Sequence, residues 1–194
     1  LWELSGEDGL LDAYKKELAL HGKTAEEMKP VVRITTSDTG SGGANIYPML
    51  VSGSENITIN LGSPLRLGHR NGTRITEFDA HLKLLYGKYQ LAIGNLARLL
   101  GIEIVNPINC MKGVMDKLGI PRKYEAEAVD LFVAQYGETP CTAHEIYFGI
   151  SEILYMLACE GEEGSRITRM EEAADPTWTA GKPIKAGALD GITR

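Results

Sequence analysis

From Glu77 to Leu100 the chain reads EFDAHLKLLYGKYQLAIGNLARLL, with apolar residues at Phe78, Leu82, Leu85, Tyr89, Ile93, Leu96 and Leu100. Steps of three and four residues, sustained this long, put those side chains on one face of an α-helix and nowhere else. Thr76 precedes it as a candidate N-cap, Glu77 and Asp79 suit the positive end of the helix dipole, and Gly101 closes it. A helix of this length with one apolar stripe must be covered by the rest of the chain.

What comes before it has a different period. Val31–Thr35 (VVRIT), Ala44–Val51 (ANIYPMLV) and Asn56–Gly62 (NITINLG) are short β-rich runs, separated by Gly/Ser/Asp/Asn clusters at 37–43 and 52–55. Ile57 and Ile59 alternate with Asn56, Thr58 and Asn60, and a fourth extended piece falls at Leu65–Leu67. Three antiparallel strands and this short piece are expected, with Pro48 marking the second run as an edge or bulged strand. Ahead of them, residues 7–20 carry an apolar stripe of Leu10, Leu11, Tyr14 and Leu18 and stop at Gly22. Thr24 and Glu27 suggest one further capped turn, ended by Pro30.

Three more helices are expected after Gly101. One runs from Asn109 to Leu118 and closes at Gly119. Another starts at Pro121 and reaches about Tyr136, with Ala126, Val129, Leu131, Phe132 and Val133 inward. The last is opened by a Thr142/Glu145 capping box and ends near Ala158. Residues 161–194 are polar, Gly-rich and aperiodic, so they read as an extended or docked tail. The fold class is therefore α+β. One domain is expected over 1–160: a helical lead-in to residue 30, a small mostly antiparallel sheet over 31–75, and about four helices over 76–160. Trp2 and Trp178 read as anchors that dock the two ends of the chain.

Composition narrows the function. With 43% apolar and 24% charged residues the chain can bury a core without disulfides or metal. Cys110, Cys141 and Cys159 are three, widely spaced, with no CxxC pair, which suits reduced thiols in a cytoplasmic protein. No cofactor or metal site is expected, the Cys141/His144 spacing being too thin a basis for one. No apolar run approaches a membrane span, and no signal peptide is visible. The chain starts at Leu1 rather than Met, as a piece of a longer protein would. A net charge of −6 argues against a general nucleic-acid coat but leaves room for a local basic site.

Two stretches carry possible chemistry. Asp38-Thr39-Gly40-Ser41 matches the active-site loop of aspartic proteases, which need two carboxylates sharing a proton. There is no second such loop, Thr36 and Ser37 stand where apolar residues should precede it, and over half the chain is helical. Asp38 followed by Gly40, Gly42 and Gly43 is also what a tight strand connection uses, and that is the reading adopted here. No helix follows in the pattern of a phosphate-binding glycine loop. The second stretch, LRLGHRNGTR, places Arg66, His69, Arg70 and Arg74 around an Asn71-Gly72 turn, with Lys83, Lys88, Tyr86 and Tyr89 following. Arginines beside a sheet can grip phosphate and aromatics can stack bases, so these six cations are the candidate nucleic-acid site. His144 and Glu145, adjacent on a helix, do not face one another as an acid–base pair would. Cys141 at a helix N-terminus lacks a nucleophile motif.

The order VRITTSDTGSGGANIYP, then LGHRNGT, then CTAHEIYFGISEIL resembles the uncharacterised phage/plasmid-like proteins of prophages and mobile elements. The likeness covers about residues 30–160. It implies a bacterial host cytoplasm and a trade in DNA metabolism or interference with host defence, with no settled activity. The leading expectation is a non-enzymatic mobile-element protein with a nucleic-acid or phosphate site on the arginine hairpin. The alternative is a module that inhibits a host defence enzyme through acidic faces at Glu125, Glu127 and Asp130, and at Glu160, Glu162 and Glu163. A hydrolase using Asp38 is the remote third. A homo-oligomer is compatible with the exposed sheet edge and the long apolar helix.

Overall fold

The computed structural model describes residues 2–4, 8–24, 28–35, 44–52, 57–67 and 75–174. The fold is α+β, as expected, and the chain divides into two compact units, Leu1–Gly94 and Asn95–Arg194.

In the first unit a short strand β1 (Trp2–Glu3) is followed by a 3₁₀ turn (Asp8–Leu11) and helix α1 (Asp12–Leu20). Leu11, Tyr14 and Leu18 are fully buried on one side of this segment, and Gly22 turns the chain out of it with φ of 69°. Ala25–Glu27 lie outside the described residues, and Pro30 belongs to a strand. Strands β2 (Lys29–Thr35), β3 (Ala44–Ser52), β4 (Ile57–Asn60) and β5 (Leu65–Leu67) fall where the turn-flanked runs place them. The order is β1-β2-β3-β4, with β5 also on β3, and every pairing is antiparallel.

Of the two alternatives for Pro48, the edge fails and the bulge holds: β3 is the central strand, and the irregularity lies in its neighbour. Between the Met49–Asn60 and Ile46–Leu65 pairs, β3 spends two residues while its neighbour spends four, Leu61 to Pro64. β4 and β5 thus run in line along one side of β3, broken by a bulge. The Pro48 carbonyl accepts the Leu61 N–H at 2.9 Å on that side. The amide and carbonyl of one strand residue point the same way, so the proton that proline lacks would have faced the bulge, where the ladder is already broken. Opposite Val32 on the β2 side, nothing is lost. A proline is tolerated centrally because it stands at a bulge.

Helix α2 (Ile75–Leu99) starts one residue before Thr76, which therefore lies in its first turn and is not its cap. Leu85 packs with Val32 and Ile46, joined by Leu4, Leu65 and Leu67. The Tyr89 hydroxyl donates to the Met49 carbonyl. On the other sheet face Val31, Tyr47, Met49 and Val51 form a second buried cluster. Six consecutive β3 residues, Ile46 to Val51, are buried, as for a strand covered on both sides.

The second unit holds β6 (Glu103–Ile104), α3 (Pro107–Leu118), a 3₁₀ turn (Arg122–Tyr124), α4 (Glu125–Tyr136), β7 (Cys141–Thr142), α5 (Ala143–Cys159) and α6 (Gly164–Ala173). α3 begins two residues earlier than its pattern suggests, because the Asn106 side chain accepts the Asn109 N–H and Pro107 fits the first turn. Gly119 ends it in a left-handed conformation, φ 73°. On α4 the buried residues are Ala128 and Phe132, while Ala126 is exposed and Val129, Leu131 and Val133 are half-buried. The 3₁₀ turn after Pro121 shifts the helical phase, which the sequence period alone does not register.

The capping box at α5 is present as read. The Glu145 carboxylate accepts the Thr142 N–H at 2.6 Å, and the Thr142 hydroxyl accepts the Glu145 N–H at 3.4 Å. β6 pairs with β7 just before it, and the Ala143 N–H donates to the Ile102 carbonyl. Gly149 lies under the Phe132 ring, where a Cβ would come within 2.5 Å of ring carbon. Within the stretch assigned to a tail, Gly164–Ala173 form α6, anchored by Ile167 and Met170 and by the Arg166 guanidinium on the Gly119 carbonyl. Residues 175–194, with Trp178, lie outside the described residues.

Candidate functional site

Strand alternation decides which of the predicted cations share a surface. Thr35 stands opposite Asn45 and Asn45 opposite Arg66; one step along, Arg33 stands opposite Tyr47. Directly opposed residues point to the same face, as do residues two apart on one strand. Thr35, Asn45, Arg66, Arg33 and Tyr47 therefore share one face at one end of the sheet. The Arg33 guanidinium carbon sits 4.6 Å from the Tyr47 ring centroid, a cation–π contact. Arg66 is exposed. Its neighbours Leu65 and Leu67 point the other way, into the cluster that includes Leu85 of α2.

The same alternation separates Arg66 from the two lysines. Lys83 is exposed on α2, which packs on the opposite face. The Lys88 ammonium donates to the Ser63 carbonyl in the bulge at 3.4 Å. Tyr89, read from sequence as a possible base-stacking neighbour, is wholly buried with its hydroxyl on Met49, so it has no face to offer a base. Tyr86 is half-buried. His69, Arg70 and Arg74 lie outside the described residues, as do Asp38 to Ser41. Their places in the chain are informative nonetheless. Segment 36–43 joins Thr35 to Ala44, and segment 68–74 follows Leu67, the partner of Ala44. Both singled-out stretches thus attach at the end of the sheet where Arg66 stands.

Arg33 and Tyr47 are the members of this surface that sequence reasoning passed over. The signal was in the strands: β2 and β3 were located correctly, and pairing them across segment 36–43 would have set Arg33 against Tyr47.

The other weighed residues have structural duties. Glu145 is occupied in the capping box, and the buried His144 ring stacks on Phe148 at 4.3 Å. Cys141 is buried, its Sγ donating to the Thr142 carbonyl. Among the described residues no group of three His, Cys, Asp or Glu side chains is placed to hold a metal ion. The Tyr136 hydroxyl donates to the buried Glu152 carboxylate at 2.9 Å. Burial drives the Tyr136 pKa up, and the Glu152 charge adds to the shift. No described helix is long and apolar enough to cross a membrane. No protein-family model matches the chain, and neither a curated protein nor a solved structure does.

Proposed function

We propose that this is a non-enzymatic protein of a phage or plasmid, acting in a bacterial cytoplasm, that binds nucleic acid through the arginine-bearing end of its sheet. The observation that carries the reading is the register setting Arg33, Tyr47 and Arg66 on one face, at the end to which His69, Arg70 and Arg74 attach. Guanidinium groups bind phosphate oxygens bidentately, and the buried Tyr47 ring serves to hold the Arg33 guanidinium in place on that face. Lys83 and Lys88, on the helix side, contribute only long-range attraction. In a chain of net charge −6 such a site works locally, against the field of the remaining surface.

The test is fluorescence anisotropy of single- and double-stranded oligonucleotides over a salt series, with Arg66→Ala/Arg70→Ala/Arg74→Ala beside the parent chain. Support requires binding that weakens steeply with salt and is lost in the variant. Absence of binding at low salt ends the proposal.

A second reading, a module that inhibits a host defence enzyme, draws on the exposed Glu127 and Asp130 of α4 and on Glu160 and Glu163 beside α6. Glu125 and Glu162 are already paired, with Lys112 at 3.3 Å and Arg166 at 3.1 Å. Stoichiometric binding to a basic protein, indifferent to the arginine substitutions, would favour this reading.

A further inference from the structure

Helix α2 has an outward face as regular as its buried one. Ala80, Leu84, Gly87, Leu91, Gly94 and Arg98 are all exposed. At about 100° per residue they fall within a strip about 80° wide. Leu84 and Leu91 are 57% and 62% exposed, large apolar side chains one heptad apart that the described residues leave uncovered. Gly87 and Gly94 follow them at the same spacing. A Cβ at either glycine would meet nothing within 4 Å. Packing among the described residues thus gives no reason for glycine at two mid-helix positions, where it disfavours the helix. Close approach by something outside the chain does give one.

We propose that this strip is a self-association surface, and that its occupant is the same helix of a second copy, running antiparallel. The pattern is self-complementary about one point. Leu84 and Gly94 lie symmetrically on either side of residue 89, and so do Gly87 and Leu91. A two-fold axis passing near residue 89 sets each leucine of one copy against a glycine of the other, a knob over a hole, as an isologous interface requires. A parallel pair would set leucine on leucine and leave the glycines facing each other across a gap. The helix dipole agrees with the antiparallel choice: two-fold pairing sets the dipoles of the two helices opposed, the favourable arrangement for neighbouring helices. From Ala80 to Arg98 the strip is about 27 Å long, the scale of a small, reversible interface and not of an obligate one.

Sedimentation equilibrium of the full chain from low micromolar to roughly millimolar concentration, the range in which weak specific complexes form, tests the surface. The parent chain should move from one-chain toward two-chain mass. Leu84→Glu/Leu91→Glu and, separately, Gly87→Gln should stay at one-chain mass with unchanged circular dichroism. Orientation is read by disulfide trapping in a Cys159→Ser background, since Cys159 is the exposed native thiol. A mixture of Gly87→Cys and Leu91→Cys chains should cross-link to each other faster than either cross-links to itself. A parent chain that is monomeric throughout, a dimer that survives both sets of substitutions, or preferential Gly87→Cys self-linkage would each overturn the proposal. Nucleic-acid binding is untouched by these changes, so the two proposals stand or fall separately.

Discussion

The Tyr89 hydroxyl donates its proton to the backbone carbonyl of Met49, forty residues earlier, tying α2 to the central strand of the sheet. Both side chains are fully buried. Tyr89→Phe keeps the ring and removes only this bond. The expected loss is about 1–2 kcal/mol, typical of a buried neutral hydrogen bond. In a chain of this size that lowers the melting temperature by about 2–8 °C, measurable by calorimetry.

Glycine to alanine has opposite signs at two positions. Gly149→Ala drives a methyl into the Phe132 ring, which is itself buried, and overpacking of this kind costs about 1–3 kcal/mol. Gly94→Ala puts the same methyl into open space on α2 and should stabilise the dilute monomer by up to about 1 kcal/mol through helix propensity. Urea titrations of both variants check the pair; equal signs would contradict the packing around Phe132.

Alkaline pH should unfold the protein. Burial raises the pKa of Tyr14, of Tyr89 and of Tyr136 above the ordinary value of 10.0; a Val31 backbone hydrogen bond partly opposes the rise at Tyr89. Above about pH 10 the unfolded chain has lost phenolic protons that the folded chain keeps, so stability falls as pH rises through that window. Each of the three contributes up to about 1.4 kcal/mol per pH unit. The phenolate absorbance of Tyr14, Tyr89 and Tyr136 should appear only together with loss of helical circular dichroism.

Thiol chemistry should be graded by burial. Cys159 is exposed, whereas Cys110 and Cys141 are buried, and burial pushes the Cys110 thiol up to about 11. One equivalent of a thiol reagent should react quickly with the native protein and the other two only on unfolding. Mass mapping of the labelled peptide should find Cys159.

The strands were legible because glycine, serine and asparagine clusters fence them off, and α2, α3 and α5 because their caps and periods agree. What the sequence did not disclose was pairing. β6 and β7 are two residues each, too short to carry an alternation, and exist only because Ile104 meets Cys141. Pro48 pointed to an edge or a bulge, and only the pairing shows that the strand is central and the bulge is its neighbour's. The candidate site has the same history. Arg66 stood out as part of a basic run, but its companions Arg33 and Tyr47 come from strands whose register is a tertiary fact. The lysines that looked adjacent in the chain were carried to the other side of the sheet by one step of alternation.

Because Ile46 to Val51 are buried on both faces, hydrophobic pattern alone would accept β3 displaced by one residue against β2 almost as readily as in place. Pro48 would not. A one-residue slip turns its missing amide proton toward β2 and leaves a carbonyl there without a donor. What proline lacks, as much as what it contacts, thus penalises the misaligned hairpin that greasy side chains alone would have passed.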